Sequence, residues 1–188
     1  MQVERDDNHR YTIDGVRVPS VTQVIKAAGY MGNTAHYTDE ARDRGTYVHK
    51  VTELHDLGTL VVAKVEEWAL PYLFAWRKFR ADAGFVPEEI ELIVGHPTLL
   101  YAGTLDRLGD YGGCNMLVDI KTGSPEPWHA IQARAYAEPI SGLCPRMGVY
   151  LSADGKYKIV NHEGWHDWDA FRAALDTWKW KERHGLND

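Results

Sequence analysis

The sequence predicts an α/β protein, a mixed β-sheet flanked by helices, on three observations. Residues 89–95, 99–109 and 115–123 form three successive short segments rich in branched side chains, the composition of strands. Two further strand-like segments, RMGVYLS and KYKIVN, follow and are joined by the turn Ala153-Asp154-Gly155. Helical patterns precede this run of strands, interrupt it and close it, which places helices against a sheet rather than in a separate bundle.

The elements can be taken in order. YTIDGVRVP reads as a hairpin turning at Asp14-Gly15. A helix opens at Ser20, which has Gln23 at capping-box spacing, and Gly29 stops it. A second helix runs from about Thr38 to Leu57, with Gly45 weakening its middle and Gly58 ending it. A third, aromatic-rich helix covers residues 66–83, with Pro71 bending it or setting its start. After the three strands, Pro127 begins the helix PWHAIQARAYA at the position where proline is best tolerated. The last helix runs from near Asp167 to about His184. No repeat or low-complexity stretch interrupts residues 1–188, so they are expected to form one domain.

Composition narrows the function classes. The chain is 44% apolar and 26% charged, the balance of a folded protein rather than a disordered one. No apolar run approaches the roughly 20 residues that span a bilayer, and the polar N-terminus is unlike a signal peptide, so a cytoplasmic protein with no membrane partner is expected. Two cysteines, Cys114 and Cys144, cannot hold an iron–sulfur cluster or a four-cysteine zinc site. The net charge of −6 argues against sequence-blind coating of DNA but is compatible with a local grip assisted by bound cations.

The chemistry concentrates in YAGTLDRLGDYGGCNMLVDIKTG. Gly112-Gly113 between two apolar strands signals a two-residue hairpin. Counting outward from a Tyr111–Cys114 pair sets Asp106 opposite Asp119, and Lys121 projects from the same face. Facing carboxylates repel unless something compensates them, and hard oxygen ligands at this spacing suit Mg²⁺ or Mn²⁺. A single bulge would break the alignment. Glu91, in the preceding strand, is a candidate third carboxylate; on position alone it could equally sit on a solvated strand face. Asp-x-Lys by itself carries little, since about one such triplet is expected by chance in a chain this long. Asp154-Gly155-Lys156 is a decoy of that kind, and its glycine marks a turn.

Taken in order, Gly45-Thr46-Tyr47-Val48-His49, Glu91, Gly103-Thr104-Leu105-Asp106, Asp119-Ile120-Lys121-Thr122-Gly123 and Gln132-x-x-x-Tyr136 resemble the RecB-like branch of the PD-(D/E)XK nucleases. Val18-Pro19-Ser20-Val21-Thr22 is similar to phage-type members and to the mitochondrial genome maintenance exonuclease. The resemblance spans roughly residues 11–137. It implies a restriction-endonuclease-like core and a Mg²⁺- or Mn²⁺-dependent deoxyribonuclease acting on DNA with a free end, in recombination or repair. It further implies that Asp106, Asp119 and Lys121 are catalytic, and that His49, Glu91, Asp106, Asp119 and the Ile120 carbonyl hold one or two ions. Gln132 and Tyr136 would line the DNA path. Glu53, one turn after His49, is placed to hydrogen-bond it.

The resemblance also leaves room for a phage-infected host cytoplasm, for a homo-oligomer and for a recombination partner protein. An endonuclease of the same fold and a nucleic-acid-binding protein without catalysis are the alternatives. The chain departs from the cluster-bearing members in lacking their four cysteines. Trp165, Trp168, Trp178 and Trp180 are read as packing residues rather than base-stacking platforms. Trp178 and Trp180 cannot both face one side of a helix.

Overall fold

The computed structural model describes residues 1–32 and 38–186. Two sheets organise them. A small antiparallel sheet has the order β1 (Val3–Arg5), β2 (Tyr11–Ile13), β3 (Val16–Val18), and β2 and β3 are the expected hairpin. β1 was not foreseen, because three residues in a charged stretch carry no periodicity.

The main sheet has the order β4 (Val86–Gly95), β5 (Ala102–Tyr111), β6 (Cys114–Lys121), β7 (Arg146–Leu151), β8 (Tyr157–Asn161). All neighbours are antiparallel except β6 and β7, which are parallel. That exception needs a crossover, supplied by the helix Pro127–Ala137.

Among the described residues, five α-helices flank the sheets: α1 (Val21–Ala27), α2 (Asp39–Asp56), α3 (Leu70–Ala83), α4 (Pro127–Ala137) and α5 (Asp167–Arg183). Ser20 and Gln23 close the reciprocal capping box of α1, and the Thr38 side chain caps α2. α3 begins later than expected. Glu67–Ala69 is a 3₁₀ turn, and Pro71 stands in the first turn of the α-helix, where its missing N–H costs nothing.

The alternation of β6 shows how the layers form. Leu117 packs with Val21, Val24, Leu105 and Phe171 on the face covered by α1, α4 and α5. Val118 and Ile120 pack with Val48, Trp76, Phe79 and Val149 on the face covered by α2 and α3. Tyr11, Ile13 and Val18 close a smaller cluster with Ala102, fastening the small sheet to β5. Trp168 and Trp178 pack against the first cluster, whereas Trp165 is 78% and Trp180 51% exposed. No helix among the described residues is long and apolar enough to cross a membrane.

Candidate metal centre

The site forms where two neighbouring strands part. The β5–β6 ladder runs without a bulge from Tyr111–Cys114 through Arg107–Val118 and ends there. Beyond that pair, β5 stays with β4 and β6 stays with β7. Asp106 is the first residue past the fork, and its Oδ2 accepts the Ile120 N–H at 2.6 Å. The carboxylate thus replaces a rung of the ladder. Register counting set Asp106 opposite Asp119; the ladder ends one pair short of that position.

Three of the expected ligands converge. One donor atom each from His49, Glu91 and Asp106 lies within 4.8 Å of the others. His49 Nδ1 is 3.3 Å from Asp106 Oδ1. Glu91 stands in the middle of β4 with φ +52°, a left-handed conformation that a non-glycine residue rarely adopts in a strand. Its Oε1 accepts from Arg107 Nη1 at 3.2 Å.

Asp119 and Lys121 belong to a second group, toward α4. Lys121 Nζ lies 2.8 Å from Asp119 Oδ1 and 2.7 Å from Oδ2. The same ammonium donates to Gln132 Oε1 at 2.9 Å. Gln132 Nε2 then donates to the Tyr136 hydroxyl at 3.2 Å and to Thr22 Oγ1 at 3.3 Å. The buried glutamine therefore has its partners. Gly103 makes this possible: a Cβ there would stand 2.4 Å from Tyr136 Cε1. Ile120 is fully buried, with its side chain in the cluster on the α2–α3 side.

The charges respond as crowding demands. Burial pushes the Glu91 carboxyl up to about 7, and the neighbouring Asp106 charge adds to that, against His49 and Arg107. Burial likewise raises Asp119, although Lys121 opposes it. Burial would raise Asp106 too, but His49, Lys121 and the Ile120 N–H together hold it below the ordinary carboxylate range. Burial disfavours the His49 imidazolium, yet Asp106 outweighs it and leaves the pKa raised. Two carboxylates and an imidazole so close, with Glu91 driven toward its neutral form, are the donor set a divalent cation would relieve. An imidazole nitrogen among oxygens is acceptable to Mn²⁺ and less usual for Mg²⁺.

Sequence reasoning missed Arg107. It is fully buried, donates Nε to Asp56 Oδ2 at 2.7 Å and Nη1 to the Asp106 carbonyl at 2.6 Å, and reaches Thr52 Oγ1 at 3.3 Å. His49, Thr52 and Asp56 form one stripe of α2, so this helix faces the site with all three. An arginine in an apolar strand, on the opposite face from Asp106, was a signal that a buried acid had to meet it. That the acid was Asp56 was not. Glu53 does not support His49; it takes the Lys50 ammonium at 2.8 Å, because Lys50 and Glu53 share the outer side of the helix.

Fold and site together define a class: an α/β protein whose five-stranded mixed sheet carries an acidic, cation-ready centre at a strand fork. Solved structures give that class its neighbours. The fold is similar to that of a candidate exonuclease from Eubacterium rectale, at 11% identity with a TM-score of 0.60, over 91% of this chain and 83% of that one. Weaker likenesses are to the alkaline exonuclease LHK-Exo from Laribacter hongkongensis (16% identity, 88% and 92% coverage, TM-score 0.41) and to LHK-Exo in complex with dAMP (18%, 85% and 83%, 0.43). At 11% identity the first of these likenesses speaks for the fold alone. No protein-family model and no curated protein matches the sequence.

Proposed function

We propose that the protein is a metal-dependent DNA exonuclease of the PD-(D/E)XK superfamily, in its RecB-like branch, acting on DNA with a free end in recombination or repair. The convergence of His49, Glu91 and Asp106 within 4.8 Å, together with buried Asp119 paired to half-buried Lys121, carries this reading. These residues would hold Mg²⁺ or Mn²⁺, with Asp119 and the Ile120 carbonyl as the further ligands implied by the sequence resemblance. Such an ion supplies an activated water and neutralises phosphate charge.

The protein's own groups do the rest. Lys121, fixed by Asp119 and Gln132, presents an ammonium to negative charge developing on the phosphate. Gln132 and Tyr136, tied to Thr22, orient that lysine and offer polar contacts to the DNA. Arg107 holds the Glu91 carboxylate and the Asp106 carbonyl, so two of the ligands share one buried anchor. A cavity of about 270 Å³ opens onto Glu91 and Asp106, bounded by Tyr11, Thr22, Gly103 and Tyr136, and gives a strand end a place to enter.

The test is cleavage of end-labelled linear DNA and of closed circular DNA with Mg²⁺, Mn²⁺ or EDTA. We expect metal-dependent degradation of linear DNA, an intact circle, and a loss of at least about a hundredfold in Lys121→Ala, the scale of one electrostatic stabiliser. A cut circle would make the enzyme an endonuclease. Inactivity of folded protein with every metal would leave a binding protein.

A further inference from the structure

The molecule has a second concentration of charge that the metal centre does not use. His55 of α2 and Arg77 and Arg80 of α3 line a cavity of about 280 Å³, with Ala81 and Phe85 completing its wall. Arg77 and Arg80 are three apart on one helix, an arrangement in which like charges repel. The carboxylate among them is Asp56, and it is already spent. It accepts from Arg107 at 2.7 Å, Arg80 Nη1 at 2.6 Å and Trp76 Nε1 at 3.0 Å.

Arg77 is left in excess. Its side-chain contact is a long one, from Nη2 to His55 Nδ1 at 3.5 Å. The Nε atoms of both Arg77 and Arg80 are buried without an acceptor. His55 registers the same imbalance: burial and then Arg77 lower its pKa, with Arg80 and Arg107 adding to the effect and Asp56 opposing it. In a chain of net charge −6, this is a local surplus of cations facing an open cavity.

We propose that this cavity is a binding site for a phosphate group. Two guanidinium forks and an imidazole offer donors from three directions, which suits a tetrahedral oxyanion; a planar carboxylate is satisfied by one fork. The group can come from a nucleic-acid backbone or from free phosphate. Contacts from Arg80 through Asp56 and Arg107 lead to Glu91, so the site is anchored to the metal centre but shares no ligand with it. The inference therefore does not depend on the protein being a nuclease.

The experiment follows the His55 ring by NMR in the full chain with EDTA. Inorganic phosphate and, separately, a short single-stranded oligonucleotide are titrated in at constant ionic strength against chloride. We expect a saturable His55 shift whose apparent Kd weakens at least tenfold in Arg77→Ala and only partly in Arg77→Lys. Arg77→Gln serves if the alanine variant does not fold. A shift with inorganic phosphate identifies the free group as sufficient; a shift with the oligonucleotide alone identifies the backbone. Absence of a saturable shift with either probe overturns the proposal, as does a shift that Arg77→Ala leaves unchanged.

Discussion

The two ends of the β5–β6 hairpin obey opposite rules. From the Gly112-Gly113 turn to Arg107–Val118 the backbone ladder is continuous. At the open end the strands part, and Asp106 takes the Ile120 N–H with its side chain. Backbone groups that pair with each other need nothing from side chains, so apolar packing decides which residues stand there. Backbone groups that lose their partner must find one, and a side chain recruited for that task also brings charge into the interior. The fork is thus both the weak point of the sheet and the place where chemistry can be built.

That contrast can be tested by breaking each end. The largest effect is expected at the fork. Asp106→Ala removes a proposed metal ligand and the Ile120 acceptor together; the proposed nuclease activity should fall below detection and stability by about 1–3 kcal/mol, the cost of an unsatisfied buried donor. Asp106→Asn keeps an acceptor, so it should lose the activity but retain most of the stability. Melting curves with EDTA or Mn²⁺ would separate the two, since metal should raise the Tm of wild type and not of either variant.

Gly103→Ala should come next. The new Cβ would meet Tyr136 at 2.4 Å, so the ring must move and take the Gln132–Lys121 network with it. We expect a loss of about 1–3 kcal/mol, as for overpacking in general, with activity reduced and partly restored by a smaller residue at position 136.

A pH effect of intermediate size is expected from α4 and the end of β8. Burial pushes His129 down to about 3 and His162 to about 4, so both are neutral in the folded state. The unfolded chain takes up protons below about pH 6.5, whereas the folded one resists until near these lower values. Their contribution to stability is therefore complete above pH 6.5 and lost as pH falls toward 4. Urea titrations from pH 7.5 to 4.5 should show this decline, and it should be shallower in His162→Gln.

The smallest change belongs to the closed end. Gly112 has φ +62° and open space around it, so Gly112→Ala should cost about 1–2 kcal/mol through backbone strain alone. Cleavage by the folded variant should match wild type. A marked loss of activity would show that the turn and the fork are coupled.

These regions also differ in how far the sequence could be read. The hairpin turn, its register, the capping box of α1 and the proline start of α4 rest on neighbours within a few residues, and local chemistry announces them. At the start of α3 an aromatic-rich run continues through a 3₁₀ turn without a change of pattern and carries the expected helix back to about residue 66, while Pro71 marks where the α-helix begins. Exposed Trp180 beside packed Trp178 follows from helical periodicity, and was legible for that reason.

The candidate site was legible only in part. The residue types, their order and the Asp106 position came from pattern and resemblance. Which of them stand together did not. Asp119 takes the Lys121 ammonium while feeling the charges of Asp106 and His49, and His49, Glu91 and Asp106 converge within 4.8 Å. Glu91 adopts a left-handed backbone where it drops out of the β4–β5 pairing, between Ile90–Arg107 and Leu92–Leu105, and no local signal marks this. Arg107 reaches Asp56 across 51 positions of chain.

By itself, then, the sequence determined the alternation of strands and helices, the hairpin register and the inventory of acids, histidine and lysine, because each depends on periodicities and turns a few residues long. Tertiary structure alone decided where the ladder ends, which carboxylates share a cation-ready space and which cation neutralises which acid. Those outcomes depend on burial and on contacts between distant segments, and burial is what makes an unpaired charge costly enough to select its partner.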